Sequence, residues 1–198
     1  MTAVFWIAVG FLAGSLPFSV WIGYLVVGRD IRCYGDGNPG ATNVIRTGSL
    51  FWGICAMVMD FLKGAIPVSL AHYFAGVTGW SLAAVALAPV LGHAYSPFLR
   101  FRGGKAVAVT FGIWTGLTLW AGPTILGVSL GIGFATLTIE AWVVCFSMGS
   151  LLACLIFFCP EPVLLGAWCA NMLVLTWKHR ADLARRPGLR SWIKQVMP

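Results

Sequence analysis

Gly35-Asp36-Gly37-Asn38-Pro39-Gly40-Ala41-Thr42-Asn43 separates two long apolar runs, with Arg32 before it and Arg46 after it. Glycine lets a backbone approach an anion closely and present a nest of N–H donors, and the flanking amides and guanidinium groups add directed ones. In a chain this hydrophobic, such a loop belongs at a membrane surface, facing something anionic. Gly92-His93 and Pro97-Phe98-Leu99-Arg100-Phe101-Arg102-Gly103-Gly104-Lys105 repeat the theme further along. Two loops of this kind predict a phosphate site.

Outward from the loop, composition sets the class. Hydrophobic residues make up 59% of the 198 and charged residues 10%, whereas soluble domains carry roughly 25% charged residues. Mean hydropathy is +0.87. An integral membrane protein is expected, and too little chain lies outside the apolar segments for a separate soluble domain, so residues 1–198 read as one transmembrane domain. The N-terminus has no charged n-region and no small-residue cleavage site, and reads as a retained helix. A transmembrane helix needs about 20 mainly apolar residues. That ruler gives candidates at 3–27, 50–74, 79–95, 106–121, 124–140, 144–160 and 162–177, with breaks expected at Gly122-Pro123 and Pro160-Glu161-Pro162. The expected fold is therefore an all-α bundle of about seven transmembrane helices, or six if one short pair is a re-entrant hairpin.

Charge placement bears on that count. Arg29, Arg32 and Arg46 follow the first segment, Arg100, Arg102 and Lys105 the third, and Lys178, Arg180, Arg185, Arg186, Arg190 and Lys194 the seventh. Only Lys63 of the thirteen basic residues falls elsewhere, and the connections around 75–79, 121–124 and 159–162 contain no Lys or Arg. Positive-inside asymmetry then predicts an outside N-terminus and a cytoplasmic C-terminus, and seven spans satisfy it better than six. The net charge of +7 fits anchoring to anionic headgroups, above all at Arg185 to Lys194. Nucleic acid is a poor candidate partner, because no soluble fold presents these charges.

Better-known chemistry is excluded by spacing. A Walker loop would need glycine where Leu99 stands and a hydroxyl where Ala106 follows Lys105. No G-x-S-x-G elbow is present, and none of His72, His93 and His179 has Asp five positions on. Cys33, Cys55, Cys145, Cys154, Cys159 and Cys169 show neither C-x-x-C nor metal-ligand spacing. No metal, cofactor or disulfide framework is expected.

The ordered motifs resemble those of bacterial acyl-phosphate:glycerol-3-phosphate acyltransferases of the PlsY type. The resemblance runs through Gly14-Ser15-Leu16-Pro17-Phe18, Asp30-Ile31-Arg32, Gly37 to Val44, Arg46, Asp60-Phe61-Leu62-Lys63-Gly64, Gly92-His93, Phe101 to Lys105 and Lys178-His179-Arg180. It implies an enzyme of phospholipid biosynthesis in the bacterial inner membrane, with acyl phosphate and glycerol 3-phosphate as substrates and a groove between helices for the fatty chain. It implies catalytic roles for His179, Lys105 and Asn38, and phosphate or substrate contacts from Arg32, Gly35, Asp36, Gly37, Gly40, Thr42, Asn43, Arg46, His93, Arg102, Gly103, Gly104, Lys178, Ser147 and Ser150. Three departures stand out: Asp36 replaces the usual serine, Ala106 the usual glycine after the lysine, and Asp182 the usual asparagine after Lys178-His179-Arg180. A carboxylate at 36 would repel phosphate unless Arg32, Arg46 or Lys105 compensates it.

An acyl phosphate is already activated, so no protein nucleophile is required; His93, His179 or a substrate phosphate oxygen are the candidate proton acceptors. Asp60 and Lys63 lie three apart in an apolar segment, share a helix face and can pair. Ser147 and Ser150 also suit helix packing, Glu140 and Glu161 suit solvated interfaces, and the ten tryptophans suit interfacial anchoring. The alternatives are a divergent relative with another phosphorylated acceptor, or a transporter or scramblase of an anionic solute. The sequence does not set the oligomeric state; a monomer is the simplest.

Overall fold

A computed structural model describes residues 2–196, less the side chains of 194–196. Met1, Met197, Pro198 and the side chain of Lys194 therefore lie outside the described residues. Among the described residues the chain is all-α, with a single isolated backbone bridge between Leu137 and Leu189. The elements are α1 (Ala3–Ser15), α2 (Phe18–Ile22), α3 (Ala41–Arg46), α4 (Leu50–Ser69), α5 (Gly79–Ala94), α6 (Val107–Thr118), α7 (Ala121–Thr136), α8 (Glu140–Phe158), α9 (Pro162–Leu183) and α10 (Ser191–Val196). Wider turns of π-helix extend α2 through Gly23–Val27 and α4 through Leu70–Phe74.

Among the described residues four helical segments are long and apolar enough to cross a bilayer: Ala3–Val27, Leu50–Phe74, Gly79–Leu99 and Glu140–Phe158. The shorter α6 and α7 are also apolar, and α9 carries Lys178, His179, Arg180 and Asp182 in its last turns. Every candidate segment of the sequence thus contains helix, but the break expected between 140 and 144 falls at 137–139, between α7 and α8, and there are two further local differences. The first is interrupted at Leu16-Pro17, where proline removes a donor and α2 restarts the helix. The break expected at Gly122-Pro123 falls at Leu119-Trp120 instead, and Pro123 sits in the first turn of α7. An N–H is unsatisfied in a first turn anyway, so proline costs little there.

Helices meet where small residues let backbones approach. α1 lies along α5, where a Cβ on Gly14 would collide with the backbone of Pro89 and one on Gly92 with the carbonyl of Phe11. α4 lies along α6 in the same manner, with Gly64 against Val109 and Gly112 against the carbonyl of Phe61. Such contacts suit a bilayer, where close van der Waals packing has to hold helices that gain nothing by escaping apolar solvent. Between the helices, Val68, Val85, Val90, Val109, Ile113, Trp114, Met148, Leu151 and Leu175 form the main core. Asn171 crosses it, accepting from Trp114 Nε1 at 3.2 Å and donating to Thr110 Oγ1 at 3.1 Å. A second, smaller core of Val20, Ile31, Ala41, Val44 and Ala56 seats the glycine loop and α3 on α2 and α4.

The α1–α5 crossing yields a direct test. Gly14→Ala should lower unfolding stability in detergent by about 1–3 kcal/mol, the usual cost of overpacking, read from the thermal or denaturant midpoint. An unshifted midpoint would mean that the crossing is looser than described.

Candidate active site

The glycine loop is built from the inside. Gly35 and Gly37 have φ of 57° and 72°, and a Cβ on Gly35 would strike Arg46 and the side chain of Asn43. Asn43 is buried and organises the loop: Nδ2 donates to the Asn38 carbonyl at 2.8 Å and to Asp36 Oδ1 at 3.3 Å, while Oδ1 accepts from Arg46 Nη1 at 2.9 Å. The Asn38 N–H also donates to Asp36 Oδ1, at 3.2 Å. Asp36 is thus wired into the fold of its own loop.

The second loop is pressed against the end of α5. A Cβ on Gly103 would collide with the His93 carbonyl and one on Gly104 with His93 Nε2. The Gly104 N–H donates to the His93 carbonyl at 3.1 Å, so this donor is already engaged. Lys178 Nζ fastens the same junction from α9, donating to the carbonyls of Ala94 at 2.9 Å and Gly103 at 2.8 Å. Lys105 then emerges between the two loops and α9. Its Nζ lies 2.8 Å from Asp36 Oδ2 and 2.8 Å from Asp182 Oδ2, and Arg46 Nη1 lies 3.6 Å from Asp36 Oδ1. Burial alone would raise the Asp36 carboxyl; the Lys105 ammonium and the Asn38 N–H outweigh it and lower its pKa below the ordinary 3.8. Burial alone would lower Lys105; hydrogen bonds to Asp182 and Asp36 outweigh it and raise its pKa above 10.5. Asp36 and Lys105 are therefore both charged across neutral pH. Lys105 and Arg46, two of the three residues that could offset Asp36, do so.

Behind the loops lies a buried polar cluster. Asp60 and Lys63 pair at 2.7 Å, each with a side chain 3% exposed. Ser19 donates to Asp60 at 2.9 Å, and Lys63 donates to the Leu16 carbonyl at 2.8 Å, satisfying the backbone at the Pro17 interruption. Ser96 Oγ donates to the Ser15 carbonyl at 2.5 Å. His93 Nδ1 stands 3.8 Å from Asp60 Oδ1, beyond hydrogen-bond reach.

These parts enclose a cavity of about 510 Å³. Asn38, Gly40, Thr42, Asp60, His93, Lys105 and Glu140 line its polar end, and Met57, Val58, Phe61, Phe111, Leu130 and Phe134 belong to its apolar arm. A ligand with an anionic head and an aliphatic tail matches that division. Among the described residues no group of three or more His, Cys, Asp or Glu is arranged to hold a metal.

Of the residues that sequence singled out, Asn38, Gly40, Thr42, His93 and Lys105 come together on the cavity wall. Asp36 and Arg46 meet Lys105 at its edge, with Gly35, Gly37 and Asn43 shaping the loop. Gly103, Gly104 and Lys178 form the α5 junction. Arg32 turns away: it makes a two-pronged pair with Asp30, both contacts 3.0 Å, and donates to Tyr24 at 2.8 Å. That pairing raises the guanidinium pKa and lowers the Asp30 carboxyl. Arg102 is exposed and off the wall. Ser147 bonds to Ser129 at 3.1 Å and to the Leu126 carbonyl at 2.8 Å between α7 and α8, and Ser150 to its own helix at Phe146. His179 is 2% exposed. Its Nδ1 lies 2.8 Å from the Leu175 carbonyl, which only accepts, so Nδ1 carries the proton and Nε2 keeps a lone pair without a hydrogen-bond partner. It is absent from the cavity lining.

Two features were not singled out. Glu140, expected at a solvated interface, is half-buried and lines the cavity; an acid in the first turn of an apolar helix looks like an ordinary helix-dipole charge. Asp182 was noted only as a departure, and its bond to Lys105 joins positions 77 residues apart. The Asp60–Lys63 spacing was the one available signal for the buried cluster.

Comparison with known proteins follows the same outline. A family model described as glycerol-3-phosphate acyltransferase matches residues 4–186. Glycerol-3-phosphate acyltransferase 1 of Thermotoga maritima is 35% identical, over 93% of this chain and 98% of its own. The Thermus thermophilus glycerol-3-phosphate acyltransferase is 40% identical, over 93% and 92%. The glycerol 3-phosphate form of PlsY, described as an integral membrane glycerol 3-phosphate acyltransferase, superposes with a TM-score of 0.85 at 28% identity, covering 99% of both chains. Its lysophosphatidic acid form gives 0.83 at 30% identity, covering 92% of this chain and 90% of that one.

Two variants test this architecture. Lys63→Met leaves Asp60 as an uncompensated buried charge and should cost about 3–5 kcal/mol, part of it recovered when Asp60→Leu is added, since the Leu16 carbonyl stays unmet; a cycle of unfolding midpoints with no coupling between the two positions would refute the pairing. Ala106, whose φ of 63° is left-handed, occupies the position where the resemblance has glycine. Ala106→Gly should therefore raise stability by about 1 kcal/mol, and a lowered midpoint would count against strain there.

Proposed function

The chain belongs to the glycerol-3-phosphate acyltransferase family, and from that premise we propose that it takes its acyl group from an acyl phosphate. It is a membrane enzyme that acylates glycerol 3-phosphate. In the proposed reaction the 1-hydroxyl attacks the acyl carbon, giving lysophosphatidic acid and phosphate. The observation that carries the reading is the cavity itself, whose Lys105 end suits phosphate and whose arm of Met57, Val58, Phe61, Phe111, Leu130 and Phe134 suits a fatty chain.

An acyl phosphate is a mixed anhydride, so the protein's work is to position two substrates and stabilise the charge that develops on the leaving phosphate. A new C–O bond forms from the glycerol hydroxyl, the bond from the acyl carbon to the phosphate oxygen breaks, and that oxygen keeps the electron pair. Lys105, between the two loops, supplies positive charge to the acceptor phosphate and, with Arg46, to the leaving group, and Asn38 and Thr42 supply directed hydrogen bonds. The hydroxyl proton passes to a substrate phosphate oxygen. In support, His93 is the one histidine on the wall and its Nδ1 is too far from Asp60 to be oriented as a base. His179, with its free Nε2, is assigned to the second rank of groups around Lys105 and Asp182.

Residues 1–198 are proposed to act as one multi-pass domain in the bacterial inner membrane, with seven spans, the N-terminus outside and the C-terminus in the cytoplasm. Supporting this, the basic connections fall on one face by parity, which is the face where a phosphorylated cytoplasmic acceptor is met.

Purified protein given palmitoyl phosphate and glycerol 3-phosphate should release lysophosphatidic acid and phosphate in equal amounts. Lys105→Ala should lower kcat/KM by about a hundredfold or more, the scale of losing one preorganised charge-stabilising donor. Wild-type product no greater than that variant's would sink the reading.

A further inference from the structure

The only cation on the cavity wall among the described residues is Lys105, and it is not free. Asp36 Oδ2 and Asp182 Oδ2 each stand 2.8 Å from its Nζ, arriving from opposite ends of the sequence. Arg46, the next guanidinium, shares Asp36 at 3.6 Å. The four charges sum to zero, and Glu140 adds a further carboxylate to the wall. Asp60, also on the wall, is matched by Lys63. A phosphate dianion entering this cavity therefore meets a lysine whose Nζ already faces two carboxylate oxygens, which leaves one of its three N–H donors uncommitted.

We propose that Asp36 and Asp182 are specificity-determining residues that act as an internal counter-ion. They hold Lys105 in place of substrate phosphate, so that acceptor binding exchanges partners on Lys105 rather than adding to an open positive site. This rests on the acceptor-phosphate reading of the cavity given above. Two consequences follow from the geometry. Phosphate must overcome existing contacts, so the affinity for a phosphorylated acceptor is held down. The balanced Lys105 cluster adds no net positive charge of its own, so it contributes little to attraction from solution or to its dependence on ionic strength. Replacing either carboxylate by a neutral group of similar size frees part of Lys105 and leaves the rest of the site in place.

The experiment compares wild type with Asp36→Ser, Asp36→Asn, Asp182→Asn and the Asp36→Ser/Asp182→Asn double variant, by two readouts. The first is direct binding of inorganic phosphate to the purified protein at low and high salt, which needs no turnover. The second is the KM for glycerol 3-phosphate at saturating palmitoyl phosphate, set beside the KM for palmitoyl phosphate. Each single variant should bind phosphate about fivefold to tenfold more tightly at low salt, since one like-charge contact at such distances is worth about a decade in a partly exposed site. The double variant should show the largest gain and a new, steep salt dependence, and the acceptor KM should fall further than the donor KM. Unchanged or weaker phosphate binding in every folded variant would overturn the proposal, as would a uniform loss of kcat and thermal stability with no gain in affinity, the signature of a purely structural bridge. Asp36→Asn and Asp182→Asn keep the shape of each bridge and test the idea if Asp36→Ser does not fold. Tighter phosphate binding without any acyl transfer from palmitoyl phosphate would uphold the counter-ion and refute the donor reading, so the two failures are told apart.

Discussion

An ammonium group at the end of a half-buried side chain has to be matched, and in this protein the matching of Lys105 decides how three distant parts of the chain meet. Its partners come from the glycine loop through Asp36 and from the end of α9 through Asp182. Lys105 itself follows the two glycines that are pressed onto the end of α5. Each segment is irregular or polar where it reaches the site, which a membrane tolerates only where protein or an aqueous cavity surrounds it. The bridge is therefore a structural knot at the edge of the cavity.

The apparatus behind it follows the same rule of local compensation. Pro17 breaks α1 from α2 and leaves the Leu16 carbonyl without an intrahelical donor; Lys63 supplies one. Lys63 in turn requires Asp60, and Asp60 is completed by Ser19 just beyond the break. Replacing any one of these leaves an unmet charge or carbonyl in a buried place, where the penalty is larger than the net worth of the bond. Lys178 performs the same service at the Ala94 and Gly103 carbonyls. Lys63, which sequence described as an intramembrane charge, and Lys178, expected there to contact phosphate, thus both serve backbone carbonyls at breaks.

What was legible in the sequence was whatever depends on neighbours along the chain. Hydropathy located the long apolar helices, because an apolar run must be satisfied within itself in lipid, and passed over the six-residue α3 and α10. The spacing of Asp60 and Lys63 gave their pairing, because three residues place side chains on one face. The glycine loop announced an anion site through its own composition. The misplaced break at Gly122-Pro123 shows the limit of that reading: proline is a breaker inside a helix and harmless in a first turn, and only the neighbouring left-handed Leu119 decides which applies. Long-range matching was illegible. Nothing local to Asp182 says that it meets Lys105, nothing local to Glu140 says that it faces a cavity, and Arg32 was lost to the nearby Asp30 although it sat in the right motif.

Asp36, Ala106 and Asp182 are scattered in sequence and gathered in space. Ala106 is bonded to Lys105, and Asp36 and Asp182 are its two ionic partners. With one carboxylate, Lys105 would keep part of its charge for substrate and could be drawn to one side; with two, it is held between the glycine loop and α9 and its charge is balanced. A left-handed alanine just after it stiffens the same turn, because alanine has fewer alternative conformations there than glycine. Position and charge of Lys105 are thus fixed together, and any substitution that releases one should be read for its effect on the other.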